Sequence, residues 1–262
     1  MTLNNRAVLK SLQFTAENSC FLKFGHSVRN RWKRIILKGR GTHRKHRAGW
    51  RVALKRRTIE KMPIPKIVSC NIRSLLGKID ELQSLASDNE FKNVGAFLIQ
   101  ESWLTSEIDD MVVSLDGFDL WRSDRPVRHR NRGGGVVTYI RRSWSKSSHI
   151  SYEFNSKHIN ALIVKCKPPY LSFYRCIFLV NIYIAPDTPS HEFDSFSDSL
   201  SCNLLNLLDN SLCIVAGDFN NFNTFFLSSL GLNKLVTFST GLNAQLAGIF
   251  VNCEKICSYQ LI

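Results

Sequence analysis

Five polar residues stand at the ends of short apolar runs, where their side chains could do chemistry. They are Asn71, Glu101, Tyr183, Asp218 and Asn220. Short apolar runs indicate buried strands, so these side chains lie at strand ends. Carboxylate and amide oxygens without a His/Cys cluster favour Mg²⁺ or Mn²⁺ over zinc. Each residue also has a structural alternative, because Asp and Asn favour turns, a glutamate after a strand can be a solvated cap, and a tyrosine can pack there.

Asp218 and Asn220 belong to a Gly-Asp-Phe-Asn segment that follows the apolar run 212–216. Gly217 allows the backbone to turn there without a Cβ clash. On its own, the segment is weak evidence for a catalytic site, because Asp and Asn are common in turns. Its weight depends on the polar residues at the other strand ends.

Strands and helices that could position these residues alternate from residue 66 onward. Helical spacing of apolar residues predicts helices over 75–85 and 193–208, and residues 104–113 read as a loop and helix with Thr105 as N-cap. Short apolar runs predict strands at 67–71, 95–100, 118–122, 136–140, 161–165, 177–183, 212–216, 234–238 and 246–251. The pattern predicts a mixed domain of sheets with helical layers.

Three consecutive glycines, Gly133 to Gly135, precede the β-branched run 136–140. Glycine next to a strand indicates a loop that approaches a ligand or another backbone closely. A phosphate-cradling loop is disfavoured because such a loop opens a helix, and here a strand follows.

Charge divides the chain of 262 residues into two parts. The net charge is +14, yet residues 1–66 alone carry 18 Lys and Arg against 2 Asp and Glu. The remaining residues are nearly neutral, and Pro63 and Pro65 mark an extended junction. We therefore expect residues 1–65 to form a basic, poorly ordered leader and residues 66–262 to form the folded domain.

Two basic segments are candidates for binding nucleic acid. In the leader, basic side chains surround a tryptophan that could stack on bases while the charges bind phosphates. A solvated leader and a solvated hairpin are the alternatives, and both stay open. The candidate residues are Arg31, Trp32, Lys33 and Arg34 in the leader, and Arg128, Arg130 and Arg132 in the loop 123–132.

Cysteine placement and hydropathy bear on location. Eight scattered cysteines, several inside apolar runs, indicate reduced thiols in an intracellular protein. No apolar run approaches the roughly 18 residues of a membrane span, so we expect no membrane partner. The N-terminus also lacks the pattern of a secretory signal. Oligomeric state is not predicted.

Five motifs in order, at 70–78, 99–104, 133–140, 181–186 and 214–220, resemble the endonuclease/exonuclease/phosphatase family. Within that family, they are similar to the endonuclease domain that precedes the reverse transcriptase of non-LTR retrotransposons. The resemblance covers residues 66–252. It implies an α+β fold, a four-layer α/β/β/α sandwich of two mixed β-sheets with strand-end loops at one rim. It also implies a Mg²⁺- or Mn²⁺-dependent phosphodiesterase that acts on DNA, which we expect in the nucleus.

The resemblance assigns a role to each of the five strand-end residues. Glu101 would be the metal ligand, and Asn71 would organise the metal and the phosphate. Tyr183 would contact the scissile phosphate, Asp218 would orient or deprotonate the attacking water, and Asn220 would bond a phosphoryl oxygen. Together these roles cover what hydrolysis of a phosphodiester needs: an activated water, a cation against the developing charge, and fixed hydrogen-bond donors around the phosphorus.

The sequence departs from the family pattern after Asp218. The family places an aspartate where Ala247 stands, followed by a Ser-Asp-His motif, but this chain has no histidine after His191 and no aspartate after Asp218. We therefore expect a domain incomplete at its C-terminus, with an unpaired sheet edge and impaired catalysis. The alternatives are a non-catalytic nucleic-acid-binding fragment and a phosphoesterase of the same fold that acts on a small phosphoester.

Overall fold

The computed structural model describes residues 20–23, 64–125, 133–169, 171, 174–220, 222–235, 247–253 and 258–261. The strands are β1 (Cys20–Lys23), β2 (Lys66–Asn71), β3 (Val94–Gln100), β4 (Phe118–Ser123), β5 (Val136–Arg141), β6 (Ser148–Asn155), β7 (Ile159–Cys166), β8 (Ile177–Ile184), β9 (Leu212–Asp218), β10 (Asn233–Lys234), β11 (Ala247–Val251) and β12 (Ser258–Leu261). The helices are α1 (Ile79–Ser87), α2 (Ser190–Leu207) and α3 (Phe225–Ser229), with 3₁₀ turns at Leu76–Lys78 and Asp110–Val113.

Two mixed sheets form the body of the domain. The first has the order β12-β1-β2-β3-β5-β4, in which β2 to β5 form the main part and β1 and β12 extend one edge. The second has the order β10-β11-β9-β8-β7-β6. The pairs β2–β3 and β8–β9 are parallel, and the remaining pairs are antiparallel. The ends of β2, β3, β8 and β9 that carry the candidate residues therefore lie at one rim.

Three apolar clusters separate four layers. Leu98 and Leu179 belong to the cluster between the two sheets. Phe196 and Leu204 on one face of α2 pack on the outer side of the second sheet. Leu82 of α1 packs on the outer side of the first sheet. Burial of an apolar helix stripe on each outer sheet face gives an α/β/β/α sandwich, so the predicted fold class is confirmed.

A buried amide pair joins the two sheets just below the rim. Gln100 at the end of β3 donates from Nε2 to Asn181 Oδ1 of β8 at 2.6 Å. Asn181 Nδ2 donates to the main-chain oxygens of Ile99 (3.1 Å) and Val137 (2.9 Å). Because these buried polar groups are satisfied only when the sheets are in this register, they fix β3 relative to β8.

Several local predictions need correction. The segment 104–113 forms only a 3₁₀ turn, capped by the Asp109 side chain, which accepts a hydrogen bond from the Met111 amide at 2.8 Å, and not by Thr105. The edge strand β6 was missed although its signal is in the sequence: Ile150, Tyr152 and Phe154 alternate with polar residues, and the last two pack on the outer cluster of the second sheet. Helix α1 begins at Ile79, after a 3₁₀ turn, and not at residue 75.

The edge of β2 is paired with a strand from the expected leader. Strand β1 pairs antiparallel with β2 and with β12. Four residues of the expected leader thus belong to the first sheet, which the sequence did not indicate because pairing between distant segments leaves no local periodicity. The rest of residues 1–63 lies outside the described residues, so the boundary at residue 65 stays a prediction.

Within the described ranges, no helix is long and apolar enough to cross a bilayer.

Candidate active site

Asn71 connects the two sheets at the rim. Its Nδ2 donates to Glu101 Oε1 and to Asp218 Oδ2, each at 2.7 Å. Its Oδ1 accepts a hydrogen bond from the amide of Arg73 at 3.2 Å, which fixes the amide orientation. Residues from three strand ends, separated by up to 147 positions, are thus joined through one side chain.

Glu101 lies on a loop held in left-handed conformations. Its φ is +52° and that of Trp103 is +57°, values uncommon for residues other than glycine. The amide of Ser102 donates to the oxygen of Gly135 at 3.1 Å, and the amide of Trp103 donates to the oxygen of Gly134 at 3.0 Å. These bonds hold the strained loop, and such strain is concentrated at functional sites.

The glycine run supports this loop. All three glycines have φ between +78° and +86°, and a Cβ on Gly135 would lie 2.4 Å from Ser102 Oγ. The amide of Gly135 donates to Asn160 Oδ1 at 2.8 Å. The glycine loop thus approaches another part of the chain closely, as one of the two sequence-based interpretations has it, and β5 follows as a strand.

Four residues form a row across the second sheet at the rim. Asn160, Tyr183, Asp218 and Ala247 are opposite one another on β7, β8, β9 and β11. Residues in register on neighbouring strands point to the same face. The Tyr183 hydroxyl reaches the glycine loop, since a Cβ on Gly133 would lie 3.6 Å from it.

Asn220 contacts both Asp218 and the adjacent strand. Its amide donates to Asp218 Oδ1 at 3.2 Å, and its Nδ2 donates to the oxygen of Ile184 at 2.6 Å. Its φ is +49°, which asparagine tolerates better than most residues. The Asp-Phe-Asn turn therefore places the Asn220 amide beside the end of β8.

Asp218 is buried, with 6% of its surface exposed. Burial raises the pKa of Asp218 to about 6, and the charge of Glu101 acts in the same direction. The hydrogen bonds from Asn71 and Asn220 and the charge of Arg73 oppose this rise in pKa. At neutral pH the group is mostly ionised, and it is a stronger base than an ordinary aspartate.

Gly217 is required for a reason other than a turn. It lies inside β9, where a Cβ would come 2.2 Å from the carbonyl oxygen of Ile182 on β8. The sequence analysis predicted that glycine is needed at position 217 for a turn of the backbone, and this reason was wrong. Close approach of two strands excludes a side chain at this position.

The residues at the rim fit a hard divalent cation. Glu101 and Asp218 provide carboxylate oxygens. Within the described ranges, no group of three or more His, Cys, Asp or Glu could hold a metal ion by itself, so a cation at the rim would need further ligands. Mg²⁺ is commonly bound through one or two carboxylates and completes its shell with water and substrate oxygens. Such a cation would be held through Glu101.

Trp103 and Asn160 are site residues that the sequence reasoning missed. Trp103 Nε1 donates to Glu101 Oε2 at 3.2 Å. Asn160 is the second residue of β7, which runs antiparallel to β8, so the start of β7 lies at the same rim as the end of β8. A search limited to the ends of strands could not find it, but polar residues at strand starts would have been a usable signal.

One predicted set lies outside the described residues. It comprises the nucleic-acid-binding candidates Arg31, Trp32, Lys33, Arg34, Arg128, Arg130 and Arg132. Their role stays a prediction.

No family model and no curated protein matches this chain. Similar solved structures include an endonuclease/exonuclease/phosphatase family protein from Leptotrichia buccalis C-1013-b, with 17% identity, 72% of this chain and 87% of that chain covered, and a TM-score of 0.49. An AP endonuclease from Archaeoglobus fulgidus has 13% identity, 71% and 86% coverage, and a TM-score of 0.48. The 3' phosphatase NExo from Neisseria, bound to a product DNA hairpin, has 14% identity, 72% and 86% coverage, and a TM-score of 0.47.

Proposed function

We propose that this chain is a divalent-metal-dependent phosphodiesterase that cleaves DNA, of the type found as the endonuclease domain of non-LTR retrotransposons, and that it is catalytically impaired. The observation that carries the proposal is the bridge from Asn71 to Glu101 and Asp218, with 2.7 Å bonds to both. Through this bridge, the carboxylates proposed as metal ligand and as base are bonded to the same amide nitrogen. The order of the five sequence motifs supports the same assignment.

The side chains divide the reaction among them. A divalent cation on Glu101 would stabilise the charge that develops on the phosphate. Asp218, with a pKa of about 6, accepts a proton from the attacking water. Tyr183 lies beside Asp218 in register, so its hydroxyl can donate to a phosphate oxygen at the same place. Asn71 fixes the relative position of the two carboxylates.

Ala247 is the reason for the proposed impairment. It occupies the fourth position of the row, opposite Asp218, where a methyl group can neither accept nor donate a hydrogen bond. His158 lies at the start of β7, but its Nδ1 is bonded to Glu192 Oε2 of α2 at 2.6 Å. Loss of a side chain that transfers or positions a proton in the reaction costs on the order of 10²–10⁴ in rate.

Plasmid nicking in the presence of Mg²⁺ tests the proposal. We expect slow nicking that Glu101→Ala abolishes, because the cation loses its ligand. Glu107→Ala removes an exposed glutamate six positions later in the chain and should leave the rate unchanged. Nicking that survives Glu101→Ala contradicts the site assignment. Turnover of about 1 s⁻¹ or faster, within the usual range for enzymes, contradicts the impairment.

A non-catalytic nucleic-acid-binding fragment is the second candidate, favoured by the 18 Lys and Arg among residues 1–66. It predicts salt-dependent DNA binding without any nicking. Binding that is unchanged in Asp218→Ala, with wild-type protein inactive over long incubation, would favour this candidate over the enzyme.

A further inference from the structure

Two donors among the described residues bind the carboxylate of Glu101, one on each oxygen. Asn71 Nδ2 binds Oε1 at 2.7 Å, and the indole Nε1 of Trp103 binds Oε2 at 3.2 Å. We propose that Trp103 is a positioning residue that fixes this carboxylate for a divalent cation. The inference rests on the proposed function, in which Glu101 is the metal ligand.

The backbone places the indole before any cation binds. Glu101 and Trp103 are both left-handed, with buried Ser102 between them, so the tryptophan folds back on the residue two positions earlier. The main-chain carbonyl oxygen of Glu101 accepts a hydrogen bond from the amide of Ser74 at 2.9 Å. The main-chain carbonyl oxygen of Ser102 accepts one from the amide of Leu75 at 2.9 Å. The loop is thus held from two sides.

The two donors leave Glu101 able to bind a cation. An ionised carboxylate has about four lone-pair positions, and two hydrogen bonds use only half of them. The bonds restrict rotation of the glutamate side chain, so less conformational entropy is lost on metal binding. Loss of a partner that orients a metal ligand commonly weakens metal affinity by about 10- to 100-fold.

Trp121 provides a matched control. Its Nε1 donates to Ser148 Oγ at 3.1 Å, and the side chain is also partly buried. Trp103→Phe and Trp121→Phe each remove one indole hydrogen bond and retain an aromatic ring. Only the first removes a bond to Glu101.

The experiment measures Mn²⁺ affinity of the whole chain without nucleic acid, by electron paramagnetic resonance of free Mn²⁺. We expect Trp103→Phe to weaken the affinity about 10-fold and Trp121→Phe to change it less than twofold. Glu101→Gln should abolish binding at this site, and adding Trp103→Phe to it should have no further effect. If Trp103→Phe unfolds the protein, replacing Trp103 by benzothienylalanine keeps the bicyclic shape and removes only the N–H donor.

The possible failures are distinguishable. Wild-type affinity in Trp103→Phe or the benzothienyl variant, together with loss of binding in Glu101→Gln, overturns the role of Trp103 alone. Equal weakening by both tryptophan variants also overturns it, because a general packing effect would then explain the result. Unchanged binding in Glu101→Gln, or no binding by wild type, overturns the metal site and this inference together.

Discussion

At the scale of single residues, the main feature of the site is one hydrogen-bond donor that two carboxylates share. One amide, that of Asn71, binds both Glu101 and Asp218. Burial raises the pKa of Asp218 to about 6, and the hydrogen bonds from Asn71 and Asn220 and the charge of Arg73 offset the cost of ionisation only in part. A buried carboxylate with a raised pKa lowers the stability of the fold, and such groups are typical of functional sites.

Asp218→Asn should therefore stabilise the protein at pH 7.5 by about 1 kcal/mol. A folded pKa above the unfolded value of roughly 4 means that the native state binds the extra proton, so stability is lost as pH rises from about 4 to about 6. The pKa shift of Asp218 alone corresponds to roughly 3 kcal/mol of destabilisation at pH 7.5. Asparagine removes this cost but has one acceptor oxygen fewer than the carboxylate, so a hydrogen bond is lost and the net gain in stability is smaller. Urea unfolding in metal-free buffer at pH 4, 5, 6 and 7.5 measures the effect.

The exposed Asp194 on α2 is the control for this change. Asp194→Asn should alter the free energy of unfolding by less than about 0.5 kcal/mol at each pH. Burial of the carboxylate does not cost stability if Asp218→Asn is less stable than wild type at pH 7.5. The same conclusion follows if the free energy of unfolding changes between pH 4 and pH 6 as steeply in Asp218→Asn as in wild type.

At the scale of elements, the ends of strands form the site, and the distance between neighbouring strands limits the size of the side chains there. Parallel pairs β2–β3 and β8–β9 bring four candidate residues to one rim, and antiparallel β7 adds Asn160 from its start. The strands β8 and β9 approach so closely near the rim that Gly217 has no room for a side chain.

Gly217→Ala should lower the free energy of unfolding by more than about 3 kcal/mol. The added Cβ would meet the Ile182 carbonyl oxygen at 2.2 Å, and a strand backbone can relax only by breaking its pairing. Gly77→Ala is the matched change, because nothing lies within 4 Å of its Cβ, and it should be neutral or stabilising by about 0.4–1 kcal/mol. Thermal unfolding followed by circular dichroism compares them, and similar melting temperatures would refute the close approach.

At the scale of the whole molecule, the positive charge belongs to the leader while the site belongs to the sandwich. Strand β1 ties part of that leader to β2, so deletion of residues 1–62 would also remove a strand from the first sheet. The contribution of the leader to binding is therefore better tested by substitution than by truncation.

Replacing Arg31, Lys33 and Arg34 by glutamine should weaken DNA binding and its salt dependence. If each charge neutralises one phosphate, the slope of log K against log salt falls in magnitude by about 2 to 3. Fluorescence anisotropy with a labelled duplex across a salt series measures this. The same slope as wild type would support the solvated-leader interpretation.

A second triple substitution controls for net charge. Lys92, Lys146 and Lys167 are exposed and lie next to strand ends opposite the rim. Replacing these three lysines by glutamine removes the same charge and should leave the slope within about 0.5 of wild type. An equal decrease from both triple substitutions would indicate attraction by total charge and not by the leader.

The sequence by itself determined a mixed domain of sheets with helical layers and most of its strands, because apolar runs and helical spacing are local properties of the chain. The four-layer sandwich followed from the resemblance of the five motifs to a known family. The sequence also identified Asn71, Glu101, Tyr183, Asp218 and Asn220 as strand-end residues, and the structure gathers them at one rim. Their catalytic roles stay predictions.

Only the tertiary structure decided which residues meet. It joined Asn71 to both carboxylates, brought Trp103 onto Glu101, placed Asn160 beside Tyr183 and set Ala247 opposite Asp218. It also added β1 to the first sheet. These contacts depend on the order and register of strands distant in the chain, and a register is set by packing between sheets, which no local periodicity records.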